Sequence, residues 1–175
     1  MNEKKKLYLT VDMLGIIILV ALDQYTKYLA VIHLKDKPAY IILNGILELN
    51  YLENRGAAFG MLQNQKAFFI FVAVVILSVI GYVLFKAPDN KKYRLLHLLL
   101  SLIAAGAIGN MIDRIRFDYV VDFIYFVLIN FPIFNVADIY VTFSTAALVI
   151  LLLFVYQEND LNFISFKQER YREIK

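Results

Sequence analysis

The sequence predicts a mainly α integral membrane protein: four transmembrane helices, N and C termini cytoplasmic, and a small extracytoplasmic β-hairpin or sheet. Three observations predict it. The 175 residues are 61% hydrophobic, with a mean hydropathy of +0.63, too apolar for one soluble domain. Four stretches approach the roughly 20 apolar residues that cross a hydrocarbon core of about 30 Å. The cations between them fall unevenly on two sides.

The first span, residues 7–28, qualifies only if Asp12 and the pair Asp23 and Lys27 lie towards its ends. Lys4, Lys5 and Lys6 resemble a basic leader. No small-residue cleavage site follows, however, and Asp23 and Lys27 continue the helix, so the span is expected to be retained. Residues 67–85 carry no charge, residues 95–112 carry only His97, and residues 139–156 form the fourth span.

Orientation follows from the short flanks. Lys4–Lys6, then Lys86, Lys91, Lys92 and Arg94, then Lys167, Arg170, Arg172 and Lys175 mark one side as cytoplasmic. Lys27, Lys35, Lys37, Arg55, Lys66, Arg114 and Arg116 are spread over longer connections on the other side. Segments 30–66 and 113–137 therefore face outward. Residues 1–157 form one membrane domain, and residues 158–175 a solvated cytoplasmic tail.

Within the first outward segment, "YIILNGILELNYLEN" places Asn44-Gly45 between two apolar arms, a strong hairpin signal. Leu47, Leu49 and Tyr51 alternate with Glu48 and Asn50, giving one apolar and one polar face. From Asp122 to Asp138 the chain is nearly as apolar as a span. It is shorter than the spans and contains Pro132, so it is expected to lie along the interface or re-enter.

Composition also excludes chemistries. The chain has no cysteine, so disulfides, thiolate catalysis and cysteine-ligated zinc are ruled out. Its two histidines form no HExxH motif. No metal, cofactor or nucleic-acid partner is expected. Ser78, Ser101 and Ser144 have neither a GxSxG-like setting nor an obvious base.

Acids at membrane depth are costly unless paired, and each is a candidate for function. Asp23 has Lys27 one turn on, and Asp113 is followed by Arg114, so both have a structural reading. Asp122 in "YVVDFIYF" and Asp138 in "FNVADIYV" have no cation nearby and suggest each other as partners. Two adjacent, desolvated carboxyls hold one proton between them, the chemistry of aspartic proteases. A proton-coupled transporter would show the same acids, and a scaffold would need neither. Ala105 and Gly109 permit a close helix contact. Asn110 shares a face with Asp113 and Arg114, and Asn135 precedes Asp138 by three, suiting a cap or a substrate contact.

The motifs "DQYTK" at 23–27, "NRGAAFG" at 54–60, "GAIGNMIDR" at 106–114, "VVDF" at 120–123 and "FNVAD" at 134–138 occur in order. Over about residues 8–156 the chain resembles the bacterial lipoprotein signal peptidases, the type II signal peptidases. The resemblance implies an aspartic endopeptidase of the cytoplasmic membrane, acting on its extracytoplasmic face. It would cut signal peptides from prolipoproteins just before a diacylglyceryl-modified cysteine. By that matching, Asp122 and Asp138 are catalytic, with Asp23, Lys27, Asn54, Gly56, Asn110, Arg114 and Asn135 binding substrate or supporting the site. The implied partners are the lipid-modified precursor and membrane lipids, with the enzyme acting as a monomer. The hairpin and the aromatic run of Phe123, Tyr125 and Phe126 are expected to clamp over the site. Asp118 and Tyr119 stand where the family often has glycine, and Ile139 where a small residue is common.

Overall fold

A computed structural model describes residues 2–56 and 62–164. Residues 57–60 of the "NRGAAFG" motif and the cations from Lys167 onward lie outside the described residues. Four long helices dominate: α1 (Glu3–Leu34), α2 (Lys66–Lys86), α3 (Arg94–Phe117) and α4 (Val136–Ile150). A 3₁₀ turn before α3 and a π turn after α4 lengthen the apolar spans to Lys91–Phe117 and Val136–Val155. All four are long and apolar enough to cross a membrane.

α3 is the hub. More than half of its span, 56%, is buried inside the molecule, against 11% for each of the other three. Leu96, Leu99, Leu100, Ile103 and Ala104 of α3 pack with Ile80 and Leu84 of α2 and with Leu151 beyond α4. Close packing of α3 on α4 depends on Gly106, where a Cβ would sit 2.5 Å from the Ala137 carbonyl oxygen and 2.7 Å from Val141 Cγ2. At Gly109 a Cβ would collide with the Asp23 carboxylate. The close contact thus uses Gly106 as well as the expected Gly109, while Ala105 is fully buried beside them.

Helix ends are tied by side chains, as orphan backbone groups in apolar surroundings require. The Asn2 side chain accepts from Lys5 N–H at 2.8 Å and starts α1. The Lys5 ammonium donates to the Leu84 carbonyl at 2.8 Å and to that of Ala87, capping α2. α3 stops at Asp118, which adopts φ 66° and ψ 7°. Aspartate is one of the few residues that tolerates this left-handed conformation, so the turn forms without glycine. Lys66 pairs with Asp118 at 2.6 Å, joining the start of α2 to the end of α3.

Three antiparallel strands, β1 (Tyr40–Leu43), β2 (Leu47–Asn54) and β3 (Val120–Phe126), form a sheet in that order. Gly45 turns the β1–β2 hairpin at φ 70°. β3 takes up the start of the apolar connection that leads to Asp138 and pairs with β2, with Leu52 opposite Asp122 and Asn54 opposite Val120. Val121 and Phe123 bury against Ala30 and Leu34 at the end of α1. Phe123 is therefore core, not part of a clamp. At the opposite end, Glu158–Ile164 folds back rather than trailing free: Asp160 pairs with Lys92 at 2.6 Å and accepts from the Tyr93 hydroxyl at 2.9 Å through its carbonyl.

Candidate active site

α4 begins beside the sheet, and its first turn supplies the centre of the site. Asn135 caps it: the side-chain oxygen accepts from Asp138 N–H at 3.0 Å, and Asp138 Oδ2 accepts from Asn135 N–H at 3.1 Å. This reciprocal capping box fixes the backbone and aims the Asp138 carboxyl back over the helix start. Positive dipole density at that end favours a negative group there.

Asp122 comes from the middle of β3 and is 1% exposed. The Asn135 amide reaches it, Nδ2 donating to Asp122 Oδ1 at 2.6 Å. Asn135 thus touches both acids, one through its amide and the other through its backbone. Asn54 Nδ2 donates to Asp122 Oδ2 at 2.8 Å, and Gly56 N–H holds the Asn54 oxygen at 3.0 Å so that the amide faces the acid. The register explains the reach: Asn54 lies diagonally across from Asp122 on the same sheet face. Asn110 Nδ2 donates to Asp138 Oδ1 at 2.8 Å.

Among the described residues, every side-chain donor hydrogen-bonded to these two acids is a neutral amide. A cation there would hold both carboxyls ionised; amides orient them and leave a proton available. Burial, then the nearby Asp138 carboxylate, pushes the Asp122 carboxyl up to about 7. The amides of Asn54 and Asn135 and the charge of Lys27 pull in the other direction.

Behind the acids lies a buried charge knot. Lys27 is paired at 3.0 Å with Asp23 and at 3.0 Å with Asp113, and it donates to Asn110 Oδ1 at 2.8 Å. That last bond turns the Asn110 NH₂ towards Asp138. The i,i+4 pair Asp23–Lys27 is present as the sequence suggested. Asp113 is compensated by Lys27, not by its neighbour Arg114.

Arg114 instead faces the cavity in front. Its Nη2 donates to the Gly56 carbonyl at 3.1 Å, and its guanidinium lies 4.4 Å from the centre of the Phe69 ring. The cavity encloses about 530 Å³. Its polar wall is Asn54, Gly56, Asn110, Arg114, Asp122 and Asp138; its apolar wall includes Phe126, Ile129, Phe131, Phe134, Ile139 and Phe143. A concave, mostly apolar site with a few converging polar groups is the usual form of a ligand-binding site.

All nine residues singled out from the sequence meet here. Asp122, Asp138, Asn54, Gly56, Asn110 and Arg114 line the cavity, Asn135 joins the acids, and Asp23 and Lys27 buttress them. The asparagines point at carboxylates, and Asn135 is a helix cap that also holds Asp122. Sequence reasoning missed Gln24, whose Nε2 donates to Asp113 Oδ1 at 2.8 Å and to the Gly109 carbonyl at 3.2 Å. Its place inside "DQYTK" was the available signal. Spacing along the chain also gave no sign of the partner of Asp12. Asp12 Oδ2 meets His97 Nδ1 at 2.6 Å, a second α1–α3 tie about 16 Å along the helix from Asp23.

Fold and cavity define the class: a four-helix membrane protein with an acid-lined, largely apolar cavity beside a small sheet. A family profile described as signal peptidase (SPase) II matches residues 15–154. A lipoprotein signal peptidase of Caldanaerobacter subterraneus subsp. tengcongensis is 47% identical over 136 residues, covering 77% of this chain and 90% of that protein. One from Streptococcus pyogenes serotype M1 is 40% identical over 157 residues, covering 90% and 97%. A solved structure described as a bacterial membrane enzyme, determined by the in meso method at 2.3 Å, superposes with TM-score 0.75 at 33% identity. It covers 82% of this chain and 88% of that one. The chain belongs to the lipoprotein signal peptidase (signal peptidase II) family and is a membrane peptidase.

Proposed function

We propose that the protein is an aspartic endopeptidase whose catalytic pair is Asp122 and Asp138. Its substrate is a prolipoprotein, cut immediately before a diacylglyceryl-modified cysteine. The observation that carries this reading is the single residue Asn135, which donates to both carboxyls at the edge of one cavity. Two desolvated acids held by neutral amides share a proton. The ionised member takes a proton from water, and the resulting hydroxide equivalent attacks the scissile carbonyl carbon. The protonated member donates to the carbonyl oxygen. As the tetrahedral intermediate collapses, one of its hydroxyls returns a proton to the pair, the C–N bond breaks, and a proton passes from the pair to the departing amine. Water is consumed, a carboxylic acid and an amine are released, and the pair returns to one proton.

The surroundings fit a lipid-bearing substrate. Arg114 and the Asn54–Gly56 turn offer donors and an acceptor to an extended backbone. Phe126, Ile129, Phe131 and Phe143 offer an apolar wall for acyl chains. The sheet lies at the same end of the bundle as the acids, since it is built from the α1–α2 and α3–α4 connections. With four spans both termini share a side, and the cation distribution makes that side cytoplasmic. The site then opens at the extracytoplasmic face of the cytoplasmic membrane, where a lipid-anchored precursor presents its cleavage region.

The test is cleavage of a diacylglyceryl-modified precursor by purified protein, followed by gel shift. Asp122→Asn and Asp138→Asn are each expected to reduce turnover by about 10³-fold or more while remaining folded. Full turnover in either variant would exclude the pair.

A further inference from the structure

The charge knot behind the acids is connected to their backbone in a way that the ion pairs alone do not reveal. Asp113 Oδ2, the oxygen paired with Lys27, also accepts from the backbone N–H of Val121 at 3.1 Å. Asp23 pairs with Lys27 through Oδ2, and its Oδ1 accepts from the backbone N–H of Ala137 at 2.9 Å. Val121 immediately precedes Asp122, and Ala137 immediately precedes Asp138. One lysine therefore binds two carboxylates, and each carboxylate grips the chain one residue before an acid of the proposed pair. The two grips reach different elements, β3 and the first turn of α4, which have no covalent connection shorter than the segment between them.

We propose that Lys27 is a positioning residue: by bridging Asp23 and Asp113 it sets the separation of β3 and α4, and hence of Asp122 and Asp138. The proposal rests on the dyad reading above. The clamp is rigid because its parts leave little room to move. Lys27 is 2% exposed, Asp23 is 0% and Asp113 is 1%. Gln24 braces Asp113 on its free oxygen, and Gly109 provides the space that the Asp23 carboxylate occupies. A third arm of Lys27 runs through Asn110 to Asp138 itself.

The geometry also explains why a costly arrangement is kept. One cation between two buried acids leaves a net negative charge, a poor choice for stability alone. It is a good choice for holding two separate backbone segments at fixed distance from one point. Lys27 also acts through space, its charge opposing the upward push on the Asp122 carboxyl. The other charged groups around Asp122 are Asp138 of α4 and Arg114 of α3.

The test compares full-length Lys27→Met, Lys27→Arg and Asp113→Asn with the parent, using the same lipid-modified precursor. Thermal midpoint, kcat, KM and the pH dependence of kcat are measured for each. Since a misplacement of about 1 Å in a reacting group costs on the order of 100-fold in rate, folded Lys27→Met and Asp113→Asn are expected to lose about that much kcat. KM should stay within about twofold, because neither substituted side chain lines the cavity. The profile of Lys27→Met should shift to higher pH, and Lys27→Arg should recover part of kcat and of the shift. A folded Asp113→Asn with kcat within about twofold of the parent and the same profile would overturn the clamp. So would losses confined to the thermal midpoint, or failure of both Lys27→Met and Asp113→Asn to fold, which would make the knot a folding determinant only. Activity retained in Asp122→Asn or Asp138→Asn would sink the dyad reading instead, a result independent of the clamp variants.

Discussion

At Asp122 a carboxyl is held without a countercharge in direct contact, and its protonation has a thermodynamic consequence. Its folded value, about 7, lies well above that of an ordinary carboxyl, burial being the larger cause and Asp138 the next. The folded state therefore binds the proton more tightly than the unfolded chain. Stability contributed by this group is fully present below the unfolded value and is lost as pH rises through the folded one. Replacing the group by Asn removes that dependence. The stability of Asp122→Asn relative to the parent is expected to grow as pH rises from 5 to 8, which thermal unfolding in detergent micelles at the two pH values would check. A difference independent of pH would mean that the Asp122 carboxyl is as fully ionised in the folded protein as in the unfolded chain across this window. The two acids were legible from sequence because "YVVDFIYF" and "FNVADIYV" supply no cation. The asparagines that take the cation's place were legible as candidates, but not as carboxylate donors. That role depends on β2–β3 register and on the capping geometry of α4, neither of which spacing along one chain segment encodes.

Among the elements, the α3–α4 contact is the one on which the site's geometry depends most directly. Gly106 admits the Ala137 carbonyl, and Ala137 is the residue whose N–H Asp23 holds. A methyl group at position 106 must push α4 outward or twist its first turn. Overpacking of this kind costs about 1–3 kcal/mol, so Gly106→Ala is expected to lower the thermal midpoint and to reduce kcat with it. Gly81, where a Cβ would meet nothing within 4 Å, is the matched control: Gly81→Ala should leave kcat unchanged and the thermal midpoint the same or higher. Equal behaviour of the two variants would remove the close approach as a determinant. The four spans and the Asn44-Gly45 hairpin were visible in the sequence because length, hydropathy and one turn signal suffice for them. β3 was not. Val120, Val121, Asp122 and Phe123 are all buried, so the strand shows no period-2 alternation and resembles a short apolar helix or loop. The partner of Asp113 was equally hidden, since Lys27 lies 86 residues away along the chain and only the packing of α1 on α3 brings it near.

For the molecule as a whole, the proposed orientation rests on how the cations divide between the two ends. The side expected to face outward carries seven lysines and arginines. Two of them are withdrawn from the flanks: Lys27 lies buried in the charge knot, and Arg114 lines the cavity. Of the remainder, Lys35 is paired with Glu53 at 3.0 Å and Lys66 with Asp118 at 2.6 Å. At the other end, Lys91 lies exposed and Lys86 is in the last turn of α2, while Lys4 and Lys6 stand at the start of α1. Pairing occurs at both ends, with Lys92 on Asp160 at 2.6 Å and Lys6 on Glu3 at 2.7 Å, so the bias rests on the number of cations in the short flanks. Because the chain has no cysteine, single cysteines report sidedness without background. Asn44→Cys in the hairpin turn and Asn90→Cys between α2 and α3 both sit at exposed positions. In intact cells with a permeable outer boundary, a membrane-impermeant maleimide is expected to label Asn44→Cys at once. Asn90→Cys should react only after the cytoplasmic membrane is opened. The reverse pattern would place the acid-lined cavity on the cytoplasmic side, where a precursor whose cleavage region has already been exported could not reach it.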